Sequence, residues 1–217
     1  MRRKSRVKLL TVIIPVLLIA ATGAAGTTYA VLQTHTSEVQ NLFAGGAVNI
    51  AVIENDNIQI PLENEENYAG SFDEISDKGV DKKVQIQNLD SEEYPTTDTF
   101  VRVRLVPVFR DAGGASVPVK AGELKENIVY TYGNEDGNWV TQEVDGETYF
   151  YYKEILEPDE LTSALITKVA YTGEVPEGAV FELQVLAEGV AANQPNVLEN
   201  TWGLSNGFAG MNAAGNF

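Results

Sequence analysis

Phe100-Val101-Arg102-Val103-Arg104-Leu105 decides the fold class. From Val101 onward apolar and charged side chains take turns, and in an extended chain successive side chains point to opposite faces. Val101, Val103 and Leu105 therefore share one face, and Arg102 and Arg104 the other. One buried face and one wetter face is the pattern of an antiparallel sheet. Pro107 has no N–H to give a ladder, which predicts an edge or a bulge late in this strand. Working outward, Lys83-Val84-Gln85-Ile86-Gln87 and Phe181-Glu182-Leu183-Gln184-Val185 repeat the period of two, and Val48-Asn49-Ile50-Ala51-Val52-Ile53 opens it. Breaker clusters at 63–67, 91–98, 111–116 and 133–138 separate the runs. Residues 128–132, 139–143 and 148–153 read as a meander whose second turn is the hairpin dipeptide Asp145-Gly146. Helix is scarce: 158–165 and 196–204 each have room for two or three turns. The expected fold is all-β, an antiparallel β-sandwich of jelly-roll type with one or two short helices.

The N-terminus reads differently. Arg2, Arg3, Lys4, Arg6 and Lys8 form a cationic cap, an apolar run follows from Leu9 to Ala21, and small residues follow that. This is the order of a secretory signal, and the apolar run is shorter than the roughly 20 residues of a spanning helix. A retained anchor is the alternative. Both Gly23-Ala24-Ala25 and Thr28-Tyr29-Ala30 fit a small-x-small cleavage site. Residues 1–30 are thus expected to be a signal peptide, 31–46 an extended segment, 47–206 the sandwich, and 207–217 a flexible tail rich in Gly, Asn and Ala. Beyond residue 30 lie ten Lys and Arg against 31 Asp and Glu, a net charge near −21. Such a surface repels nucleic acid and anionic membranes, and it suits basic partners or Ca²⁺. The chain has no cysteine. An exported protein of this kind is held by its core, by metal or by assembly.

Catalytic chemistry is thin. His35 is the one histidine, and no H-E-x-x-H pattern is present. Tyr149-Phe150-Tyr151-Tyr152 offers an aromatic strand, read as core packing with an aromatic outer face in preference to a sugar platform. The acidic loops Glu54-Asn55-Asp56-Asn57 and Asn134-Glu135-Asp136 carry hard oxygen ligands suited to Ca²⁺, but lack EF-hand spacing. They are read as solvated turns. Arg102 and Arg104 are read as cross-strand salt bridges, with a basic docking patch as the alternative. No catalytic, cofactor or metal residue is assigned.

Several of these stretches together resemble the TasA/camelysin family of Gram-positive bacteria. Gly26, Thr27 and Ala30 match its signal end, and Asn41, Phe43, Gly46, Val48 and Ile50 match its second motif. Val84, Ile86, Asn88, Val101, Arg102, Val103 and Arg104 match its strand–turn–strand. Tyr152, Leu156, Thr162, Leu165 and Glu188 to Ala191 match two later stretches. Val31-Leu32-Gln33, Ala44-Gly45 and Asn49 depart from the pattern. The resemblance implies an exported jelly-roll sandwich whose signal is removed by the signal peptidase SipW. It implies a place at the cell surface or in the biofilm matrix, where members form fibres; some members are instead described as surface metalloproteases.

The expected function is therefore a secreted structural subunit that self-associates into fibres, not an enzyme. It has no nucleic-acid partner and no membrane association once the signal is gone. A surface binding module or adhesin is the alternative, and a camelysin-like metalloprotease the third reading. Residues 31–43 carry little charge and have no evident hairpin partner. Val31, Leu32, Val39, Leu42 and Phe43 are expected to form an extended docking arm for the next subunit, while completing their own sheet is the rival reading. Cleavage is assigned after Ala30, with Thr28 as the other small residue. Intact-mass measurement of the secreted protein is expected to find Val31 at its N-terminus. A chain that starts at Gly26 or keeps residues 1–30 refutes this.

Overall fold

The computed structural model describes residues 41–43, 46–59, 71–72, 75–90, 92, 95–120 and 122–215. These lie in the second of two units, residues 36–217. They build two antiparallel sheets, one small hairpin and two short helices. The hairpin joins β1 (Asn41–Phe43) to β2 (Gly46–Val48). The five-stranded sheet contains β3 (Ile50–Glu54), β4 (Asn57–Ile58), β6 (Val80–Asn88), β9 (Ile128–Tyr132) and β12 (Ile166–Tyr171), in the order β4-β3-β6-β12-β9. The other sheet contains β5 (Ser71–Phe72), β7 (Thr99–Arg110), β8 (Ser116–Val117), β10 (Trp139–Val144), β11 (Glu147–Tyr152), β13 (Val180–Ala191) and β14 (Asn212–Ala213). Its order is β14-β10-β11-β7-β13-β5, with β8 on β7. The helices are α1 (Glu123–Asn127) and α2 (Val197–Trp202).

One hydrophobic core lies between the sheets. Val101, Val103 and Phe109 of β7 and Phe181, Leu183 and Val185 of β13 meet Val84 and Ile86 of β6 and Ile166 and Val169 of β12. Rings cross the gap: Phe109 meets Tyr171 edge-on at 5.2 Å, and Tyr132 meets Phe150 at 6.0 Å. The alternation at Val101, Val103 and Leu105 thus selects the inward face as expected. Gly189 is on that face of β13. A Cβ there would meet Val48 Cγ1 at 2.8 Å and Ile50 Cγ2 at 3.2 Å, so the N-terminal strands pack onto bare backbone.

Asn88 ties the end of the five-stranded sheet to two loops. Its side-chain Nδ2 donates to Thr97 O and Leu156 O, each at 3.0 Å. Its backbone N–H donates to Glu160 O, and its C=O accepts from Asp159 N–H. Two turns have the left-handed residues that tight hairpins need: Asn55-Asp56 between β3 and β4, and Asp145-Gly146 between β10 and β11.

Pro107 is opposite Leu183 of β13. Ala192 N–H donates to Asp98 O, so the even residues of β7 exchange bonds with β13 and the odd ones face the other side. On that side β11 pairs at Arg102 and Val103, and β8 at Phe109 and Arg110. Pro107 falls between them, where the ladder needs no N–H.

Three expectations are corrected. Residues 158–165 are not helical. Thr162 N–H donates to Ile86 O and Leu165 N–H to Val84 O, so β6 captures the segment as extended chain, and Asp159 sits at φ 66°. The second expected helix does form, as α2, closed by Gly203 at φ 72° with Leu204 N–H donating to Leu198 O. The tail from 207 is ordered through Gly215: β14 pairs with β10, and Ala214 N–H donates to Trp139 O at 2.8 Å. Phe208 and Met211 give it apolar anchors that its Gly and Asn content conceals. Thirdly, residues 41–43 do have a hairpin partner in their own chain: Leu42 pairs with Ala47 and Phe43 with Gly46. Replacing Gly189 with Ala is expected to cost about 1–3 kcal/mol through overpacking. Urea unfolding checks this, and an unchanged midpoint would contradict the close approach.

Candidate functional surface

Thr28, Ala30, Val31, Leu32, Val39 and His35 lie outside the described residues. Leu42 and Phe43 lie in β1. The described side chains with chemistry to offer gather in three places: a buried ion pair, the acidic turns, and the outer face of the larger sheet.

The ion pair comes from strand parity. Glu54 shares the inward face of β3 with Ile50 and Val52, and Lys82 shares that of β6 with Val84 and Ile86. Lys82 Nζ donates to Glu54 Oε2 at 2.6 Å, with side-chain exposures of 0% and 4%. Desolvation by burial raises the Glu54 pKa, and the attraction of Lys82 only partly opposes this. Burial likewise lowers that of Lys82 against the pull of Glu54. Both shifts have the sign of a pair whose loss of water outweighs its attraction. The sequence carried a signal for it, a lysine in phase with two core residues, which the pattern reading passed over.

The acidic turns spend their oxygens internally. Asp56 Oδ1 pairs with Lys83 Nζ at 2.7 Å, and Asn55 Oδ1 accepts from Lys83 N–H. Asn134 Oδ1 accepts from Trp139 N–H, and its Nδ2 donates to Trp139 O and Ala214 O. Asp136 Oδ1 accepts from Asn138 N–H and from the Ser163 hydroxyl. Among the described residues no group of three or more His, Cys, Asp or Glu is placed to hold a metal ion.

The outer face of the larger sheet is more informative. The aromatic strand splits by parity: Phe150 and Tyr152 enter the main core, while Tyr149 and Tyr151 point outward. Tyr151 has 0% exposure. It lies beneath Trp202 at 5.7 Å and Phe208 at 6.2 Å, and with Val140 and Leu204 it forms a second, smaller core. The segment after β13 thus lies across this face as a cover. Beside it is a polar groove of about 380 Å³ between β10 and residues 203–212.

Arg102 emerges at the border of that cover. Its Nε and Nη2 both donate to Glu188 Oε2, at 3.0 and 2.6 Å. Its guanidinium is 4.4 Å from the Tyr149 ring centroid and 5.1 Å from that of Trp202. Arg110 pairs with Glu182 further along the strand. Both are cross-strand salt bridges, the reading favoured from sequence for Arg102 and Arg104. Arg104 makes a looser one, to β11. Its nearest carboxylate, Glu147, is 4.0 Å from Nη1, and its buried Nε has no hydrogen-bond acceptor among the described residues. It rests against the Tyr149 ring at 5.3 Å with 30% of its side chain exposed. Trp202 and Phe208 were not singled out in the sequence; nothing in their spacing announced that they would fold back over β11.

No protein-family model matches the chain, and neither a curated protein nor a solved structure does.

Removing Lys82 leaves the buried Glu54 carboxyl without its ion-pair partner. Lys82→Met alone is expected to cost about 3–5 kcal/mol, while the double change Glu54→Leu with Lys82→Met is expected to be neutral or stabilising by about 1–4 kcal/mol. Denaturant melts of the parent and the two variants decide; a double variant worse than the single one would refute the assignment.

Proposed function

We propose that this chain is a secreted structural protein that assembles into fibres at the cell surface or in the extracellular matrix. The observation that carries the reading is the correspondence between the family-like motifs and the fold's framework. Asn88 is the amide that ties two loops, and Val84, Ile86, Val101 and Val103 form the facing core strands. Residues 41–48, which hold the second motif, open the domain as a hairpin. On this reading the sandwich is of jelly-roll type, supported by antiparallel pairing throughout both sheets. The leader 1–30 is a signal peptide removed by SipW, and the protein is not an enzyme. The arm that engages a neighbour is narrowed to residues 31–40, because 41–43 already pair within their own chain.

Electron microscopy of the purified mature protein over a concentration series is expected to show filaments above a threshold. A chain beginning at Asn41 should keep its circular dichroism and thermal midpoint and lose most filament formation. Absence of filaments from the mature protein at every concentration overturns the reading, and undiminished filaments from the shortened chain overturn the arm.

A further inference from the structure

Arg104 is the most loosely paired of the described arginines. The chain carries a net charge of −16, with 31 acidic side chains against 15 Lys and Arg. Arg102, Arg110, Lys82, Lys83 and Lys125 each reach a carboxylate within hydrogen-bonding distance. Arg104 has a carboxylate only at 4.0 Å and makes no hydrogen bond with any described residue. Its guanidinium lies against Tyr149, in register with Leu186 of β13, and 30% of the side chain is exposed to meet a further carboxylate.

A matching element lies elsewhere on the same chain. The loop 154–161 contains Glu154, Glu157, Asp159 and Glu160, and it exposes Ile155 at 42% and Leu161 at 43%. Asp159 and Glu160 spend a carboxylate oxygen on the backbone N–H of Asp90 and Glu157 respectively. The side chains of Glu154 and Glu157 make no hydrogen bond with any described residue and are exposed. One loop thus presents two exposed apolar side chains together with two exposed carboxylates that bond no described residue.

We infer that the Arg104 face binds the acidic, apolar-tipped loop 154–161 of a second copy of this chain. Charge complementarity selects that occupant: the face offers a guanidinium whose carboxylate partner is 4.0 Å away, beside Tyr149 and Leu186, and the loop offers the exposed carboxylates of Glu154 and Glu157 beside Ile155 and Leu161. The two surfaces are different, so the contact is heterologous and leaves each added copy with a free face and a free loop. This rests on the self-assembly reading and names a surface for it that is separate from the N-terminal arm.

Charge reversal tests it on the purified mature protein, by light scattering and sedimentation velocity. Arg104→Glu is expected to raise the concentration needed for assembly at least tenfold, and Glu154→Arg with Glu157→Arg to do the same. The variant combining all three changes is expected to recover assembly to within about threefold of the parent, because the pair is restored with its signs exchanged. Thermal midpoints confirm that each variant is folded; Arg104→Gln is the fallback if the glutamate unfolds the sheet. Raising salt should weaken assembly in the parent and in the combined variant alike. If both single-surface variants assemble as readily as the parent, or the combined variant fails to recover, the inference is wrong while the fibre reading stands. If the parent never self-associates, both are wrong.

Discussion

Twelve residue pairs join β7 to β13, from Thr99 opposite Ala191 to Arg110 opposite Val180. The rest of the described fold hangs on this ladder. Its inward side chains supply seven of the 23 buried residues of the main core, its outward ones hold the Arg102–Glu188 and Arg110–Glu182 pairs, and β5, β8 and β11 dock on its flanks. The partners are 70 to 92 residues apart in sequence, so the chain must close a long loop before this ladder returns any free energy. Folding of such non-local pairings is slow compared with helical domains of the same size. The hairpin at Asp145-Gly146, local and unstrained, is the kind of element that forms first and waits for it.

Around that ladder the polar groups are largely committed. Most cations near the sheets face carboxylates, and the acidic turns cap their own backbones. Among the described residues these contacts tie neighbouring strands and turns to one another. Arg104, with Glu147 at 4.0 Å, and the exposed Glu154 and Glu157 are held more loosely, and the proposed contact with a second copy would engage them.

The all-β class, the main strands and the inward faces were legible because a sheet writes its burial into every second residue. Val101 and Val103, Val84 and Ile86, and Leu183 and Val185 all carry that mark. Where pattern reading failed, the cause was tertiary. Residues 158–165 have helix-compatible composition, but β6 offers them backbone partners at Val84 and Ile86. Residues from 207 on look like a loose tail, yet Phe208 and Met211 join Leu204 in an apolar seat on Tyr151 and Val140 that no local sequence describes. Lys82 and Glu54 could be placed on inward faces by counting, but their meeting depends on the register between β3 and β6. On the outer face, Arg102 and Arg104 are identical in pattern; the position of Glu188 opposite Arg102 on β13 makes one a close bridge, while the other has Glu147 at 4.0 Å.

Asn88 has a wider consequence. Small exported domains commonly secure loops such as those at Thr97 and Leu156 with a covalent bridge, which must be found by oxidation and can be found wrongly. Here one amide side chain and its own backbone fasten both loops with hydrogen bonds alone. No oxidase is needed to complete the fold, no isomer can be mispaired, and a reducing agent has nothing to cut. The integrity of the described domain therefore has no redox threshold: it is the same in oxygenated surroundings as in anoxic, thiol-rich ones.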